Sequence, residues 1–242
     1  MPEVLELKPL KNKKLKLILI ESEFPIDWWF DVPKTLKEDL FWNLRLISKE
    51  YIQLVDSLIE KYNPKIALEE RPNFWNTTNN SEDPLKKLFQ MRNIPFDYAD
   101  ISENAELYLS SALEEHRTMI QHLGIKIEEI IKNDGSIPNN DDTFNRIVLW
   151  KDYLQQDYKF QENEIRYKVR EAWMMMKILN LAKKIEATNF KAMFICDINH
   201  FNGLEKLSEE LGIEVEQVRI KRTIKTEDVK EIFEKDLGVE IS

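Results

Sequence analysis

Short apolar runs bounded by polar corners alternate along this chain with longer stretches in which apolar residues recur at helical spacing. The clearest run, Ala192 to Cys196, has the length of a buried strand. It leads into the corner Asp197-Ile198-Asn199-His200 and then Asn202-Gly203-Leu204-Glu205. Asn202, with Glu205 three residues on, reads as a capping box that opens a helix, and Gly212 as the glycine that closes it. A further strand follows through Val215 and Val218. Leu15 to Ile20, nearly continuous in Leu and Ile, predicts a central parallel strand, and Ile66-Ala67-Leu68 predicts another. Between these two, a capping box at Thr35 and Glu38 opens a helix that runs to about residue 62, where Asn63-Pro64 stops it. Strand, helix and strand in that order make a parallel βαβ unit. Asp83-Pro84 reads as the N-cap and first residue of a short helix over 84–92, and residues 93–100 as a third strand.

Residues 103–187 carry no strand signal. Helix is expected over 103–133, broken near Gly124, then a polar connector over 133–142. A helix from about 162 to 187 places Ile165, Val169, Ala172, Trp173, Met176 and Leu179 on one face. The pattern is that of an α/β fold. It predicts a mostly parallel sheet of about five strands flanked by helices, in a single domain over 1–242 with a helical insertion or cap at about 103–160. The cluster Trp28, Trp29 and Phe30 is expected to pack a helix or loop onto the sheet, and Met174 to Met176 to pack in the core rather than ligate a soft metal. Thr226 is expected to cap a last short helix.

At 242 residues and 43% hydrophobic, the chain can bury one sizeable core. Its Lys- and Glu-rich 33% of charged residues is a balance common in heat-adapted proteins. The net charge of −9 argues against a general nucleic-acid binder. One cysteine, Cys196, allows no internal disulfide. No apolar stretch approaches the roughly 20 residues that span a bilayer, and the N-terminus lacks a signal-peptide pattern. A cytoplasmic protein without a membrane partner is therefore expected. The sequence leaves oligomeric state open, a homodimer included.

Three corners that follow predicted strands carry acids or histidine: Glu21 and Glu23, Glu69 and Glu70, and Asp197 with His200. Asp100 is a fourth candidate. In a parallel sheet all the carboxyl ends share one edge, where open α/β folds bind ligands. Carboxylates with an imidazole are the usual shell of a hydrolytic divalent metal. The plainer alternative is that these corners are acidic because they cap helices and face water. His116 and His122 lie six apart, off a common helical face, and are expected to be a surface and a packing histidine. Cys196 is expected to be a small buried hydrophobe. No Ser-His-Asp order and no glycine-rich phosphate loop is present.

The strand, the corner ending in His200, Gly203 shortly after it and the Leu- and Glu-rich helix closing at Gly212 resemble the second Gly-x-x-His segment of the TraB family. That family includes pheromone-shutdown proteins, archaeal relatives and Tiki-type metal-dependent peptidases, and is related in fold to the ChaN and erythromycin-esterase groups. Glu69 with Arg71 resembles the family's Glu followed by Arg, with Glu70 the less favoured register. Arg170 resembles the Arg of its Glu-Arg pair, and His200 its second histidine. The resemblance covers about 15–100 and 163–220. The first Gly-x-x-His is replaced by Glu21-Ser22-Glu23-Phe24-Pro25, Asp197 stands where a glycine is expected, and Val169 replaces the acid before Arg170. The resemblance implies a hydrolase, a metal-dependent peptidase with Mn, Co or Zn, acting on a peptide or small-molecule substrate at the carboxyl edge. His200, Glu69, Asp197 and Glu23 would bind the metal or activate water, and Arg170 would stabilise developing negative charge. The missing first histidine implies the alternative, a catalytically degenerate relative with a binding or regulatory role.

Overall fold

The computed structural model describes residues 7–23, 49–71, 83–101, 103–134 and 142–220. The aromatic cluster at 28–30, the Thr35 capping box, most of the polar connector and the helix expected after Thr226 lie outside these residues. The chain divides into two compact units, Met1–Asp100 with Glu171–Ser242, and Ile101–Arg170.

The first unit is built on a five-stranded, all-parallel sheet in the order β3-β2-β4-β1-β5. Its strands are β1 (Lys14–Glu21), β2 (Ile66–Glu69), β3 (Phe96–Tyr98), β4 (Asn189–Cys196) and β5 (Glu214–Val218). The third strand is shorter than the 93–100 expected: Asn93 turns the chain at φ 55 and Ile94 bonds back to Phe89. Strand alternation sorts the apolar residues onto two faces. Leu15, Leu17 and Leu19 of β1 join Ile66, Leu68, Phe190, Ala192, Phe194 and Cys196 in one core. Ile18 and Ile20 join Ala67, Met193 and Ile195 in the other.

Helices cover each face by the same rule. On the second face lie α1 (Lys49–Tyr62), through Tyr51, Val55, Leu58 and Ile59, and α2 (Pro84–Met91), through Leu85, Leu88 and Phe89. As the sequence predicts, Asp83 caps α2, accepting from Leu85 N at 3.0 Å, with Pro84 in the first turn. On the first face lie α5 (Arg170–Lys184) and α6 (Phe201–Glu210). The buried stripe of α5 is Met174, Met175, Ile178, Leu179 and Ala182, which shares only Leu179 with the expected face. Trp173 and Met176 are only half-buried. The consecutive methionines let either of two adjacent stripes face the core, and the smaller Ala182 continues only this one. Lys13 closes the far end of α5, its Nζ 2.8 Å from the Lys183 carbonyl and 3.2 Å from that of Ala182.

The second unit is helical: α3 (Glu103–Asp134) packs against α4 (Asp142–Asn163), and a π-helical turn, Glu164–Val169, follows. His116 ties the two helices together, its Nε2 3.1 Å from Asp157 Oδ2, while His122 is exposed. The expected break at Gly124 does not occur. A glycine inside a helix costs about 1 kcal/mol relative to alanine, too little to interrupt 32 residues of helix packed against a neighbour.

At the end of α6 the chain turns through Gly212 at φ +70, and a Cβ there would meet nothing within 4 Å. Gly212→Ala therefore tests backbone strain alone. It should lower stability by about 1 kcal/mol in a urea titration, with the slope unchanged.

Candidate active site at the carboxyl edge

The connection from β1 through α1 to β2 passes one face of the sheet, and that from β4 through α6 to β5 passes the other. The neighbouring carboxyl ends of β1 and β4 are thus a topological switch point, where such folds take ligands. Backbone bonds carry the ladder past the strand ends into the corners. Ser22 N bonds Cys196 O at 2.8 Å, Glu70 N bonds Ile195 O at 2.7 Å, and Ala99 N bonds Glu69 O at 2.9 Å. Charged side chains on these corners are buried. Among the described residues of this unit they are Glu21, Glu23, Glu69, Glu70, Asp83, Asp100, Glu171 and Asp197, with Arg71 and His200.

The centre of the site is the imidazole of His200. Nε2 lies 3.2 Å from Glu70 Oε1, and Nδ1 lies 3.1 Å from Glu171 Oε1. The other oxygen of Glu70 accepts the Asp197 backbone N–H at 2.8 Å, so one carboxylate joins the corners of β2 and β4. Asp197 itself caps a short 3-10 turn, Ile198–His200, accepting from Asn199 N at 2.9 Å. That turn runs directly into α6, so Asp197 opens the helix instead of the expected Asn202 and Glu205 box. The shift by five residues holds His200 at the helix entry, inside the protein.

Alternation past the end of β2 separates the two adjacent glutamates. Glu70 follows Ile66 and Leu68 onto the α5 and α6 face and meets His200. Glu69 follows Ala67 onto the α1 and α2 face, opposite Tyr98 in register. There Arg71 donates to the Tyr98 hydroxyl at 2.8 Å and pairs with Asp83 at 3.1 Å, and the hydroxyl donates to Asp83 at 3.0 Å. Burial, then the Asp83 and Glu69 carboxylates, push the Tyr98 phenol far above its ordinary range, against the pull of Arg71.

Of the residues expected in the site, Asp197 and His200 share one corner. Glu69 is buried on the other face of the sheet, and Glu23 is buried beyond the end of β1. Arg170 is buried and belongs to the second unit. Sequence reasoning passed over Glu171, whose only signal is its place beside Arg170 at the start of an amphipathic helix, and favoured Glu69 over Glu70. Among the described residues no group of three or more His, Cys, Asp or Glu is arranged to hold a metal ion. As placed, both nitrogens of His200 face carboxylates, the Asp197 carboxylate accepts from Asn199 N, and Glu69 lies on the other face of the sheet. No family model, curated protein or solved structure matches the chain.

Cys196 ends β4 beneath this cluster. Burial first, then the carboxylates of Glu70, Asp197 and Glu171, raise its thiol well above the ordinary value. An unfolded thiol ionises near pH ~8.5, whereas the folded one stays neutral there. At pH 8 an aromatic disulfide reagent should leave folded Cys196 untouched and label it fully in urea. Labelling at the same rate in both would refute the burial. On the other face, Asp83→Ala removes both the α2 cap and the partner of a buried guanidinium. It should lower stability by about 3 kcal/mol or more, read by urea denaturation.

Proposed function

We propose that the protein is a TraB-like hydrolase that cleaves a peptide or a small amide or ester at the carboxyl edge, with His200 and Glu70 handling the proton of the attacking water. The observation that carries this reading is the buried imidazole held between two buried carboxylates at the switch point of a parallel sheet. Ionisable groups are costly to bury, and clusters of them in one cleft are a mark of functional sites. An imidazolium can donate to both carboxylates, whereas a neutral imidazole can donate to only one. Glu70 and His200 therefore form a pair that can take up and return the proton of a water, with Glu171 holding the other ring nitrogen. That is the property a general acid–base group needs. Arg170, in the other unit, is assigned no step.

A binding or regulatory role for a relative that has lost catalysis is the second reading. One observation favours it: both nitrogens of His200 are engaged by carboxylates of the chain itself, Glu70 and Glu171.

The test uses the full chain, incubated with Mn, Co or Zn or with none, for wild type and His200→Ala. Bound metal, thermal stability and hydrolysis of a quenched fluorescent peptide pool and of p-nitrophenyl acetate are measured. The expected result is hydrolysis that falls by about a hundredfold in His200→Ala. Stoichiometric metal that the variant loses would assign the expected metal-dependent form. No hydrolysis by wild type under any condition would leave the binding reading.

A further inference from the structure

We propose that Glu171 is the positioning residue of this site and that Gly203 is a glycine because Glu171 must pass over it. The α5 side chain reaches His200 Nδ1 by lying against the first turn of α6, so close that a Cβ built on Gly203 would fall onto the Glu171 carboxylate. The obstacle is the far end of a flexible side chain, not backbone. A side chain at 203 would therefore not break α6; it would evict Glu171 from His200. No other glycine described here is so occupied: a Cβ at Gly124 would meet only the Lys151 side chain, at 3.7 Å, and one at Gly212 would meet nothing within 4 Å. The place also suits the charge, since a carboxylate against the N-terminal turn of a helix is stabilised by the helix dipole. Glu171 and Glu70 then fix the imidazole from its two sides, and the ring plane is set by groups from α5 and β2. A positioning role rests on the acid–base reading of His200, but the geometric claim stands apart from it.

The experiment is chosen to keep the two apart. The chain has three histidines, so ring-nitrogen resonances of His200 can be assigned in a 15N-labelled sample by comparison with His200→Ala. Gly203→Ala should fold, with an unchanged far-ultraviolet dichroism spectrum. Its His200 Nδ1 resonance should move to where Glu171→Gln and Glu171→Ala place it, and adding Gly203→Ala to Glu171→Ala should cause no further shift. If Gly203→Ala fails to fold, the double variant, which has room for the added methyl, should fold. An unmoved His200 resonance in Gly203→Ala, shifts that simply add in the double variant, or a double variant that also fails to fold would each overturn the proposal. In wild type that hydrolyses the peptide pool, Glu171→Gln should lower kcat about tenfold or more with KM unchanged. A chain that hydrolyses nothing would remove the function and leave the resonance test in force.

Discussion

The pairing of β1 with β4 is the constraint on which the rest of the first unit depends. Eight residue pairs, from Lys14 with Asn189 to Glu21 with Cys196, join segments from opposite ends of the chain. Every side chain on these strands from Leu17 to Ile20 and from Ala192 to Cys196 is buried. The pair therefore has no solvent face and needs helices on both sides. That demand turns one crossover over each face and leaves the two corners side by side at the switch point. Residues 21–23 and 197–200 are neighbours because their strands are. Such long-range parallel pairing carries a loop-closure cost and makes folding slow, and the site exists only where this pairing is in place.

The electrostatics of the edge follow from the same arrangement. Carboxylates removed from water are tolerated only where hydrogen bonds or opposite charge replace the lost solvation. Glu70 shows how this is met. One oxygen takes a backbone N–H, the other faces the imidazole, and its own backbone stays in the ladder. Asp83 does likewise with the Leu85 N–H, Arg71 and the Tyr98 hydroxyl. These groups give the edge a specified arrangement more than they give it stability, because well-packed apolar side chains of similar volume would serve stability as well or better. Their concentration at one edge is the physical ground for assigning function there, while the rest of the buried interior is overwhelmingly apolar.

Much of this was legible in the sequence. The nearly continuous Leu and Ile of β1 and the apolar run Ala192 to Cys196 of β4 read as strands buried on both faces, and the helix between Asp83 and Asn93 announces its own ends. The three corners could be placed on one edge from the rule that parallel strands end together. The parts that were not legible share a cause: they depend on a phase that several patterns fit equally well. Met174, Met175 and Met176 fit two helical stripes, and only packing decides between them. Asp197 and Asn202 are both good caps, and the choice turned on whether the backbone at His200 could coil early. Glu171 is polar at the start of a helix, where acids are common for reasons unrelated to any site. Gly203 gave no sign of its role, because a close approach by a distant side chain leaves no local pattern.

The run Glu69-Glu70-Arg71 shows how far a single register carries function. A strand alternates its side chains with period two, so this triplet sends Glu70 to one face of the sheet and Glu69 and Arg71 to the other. A slip of one residue would exchange the glutamates and bring Arg71 toward Cys196 and His200. The charged residues cannot prevent it, since either glutamate can accept from an imidazole. Apolar size prevents it. Ile66 and Leu68 stand beside Ala192 and Phe194 in one core, and Ala67 stands beside Met193, with Phe96 opposite it, in the other. Moving a leucine into the place of Ala67 would overpack that face and leave a void on the first. The chemistry at the edge is therefore held in phase by the volume of an alanine two residues upstream of it.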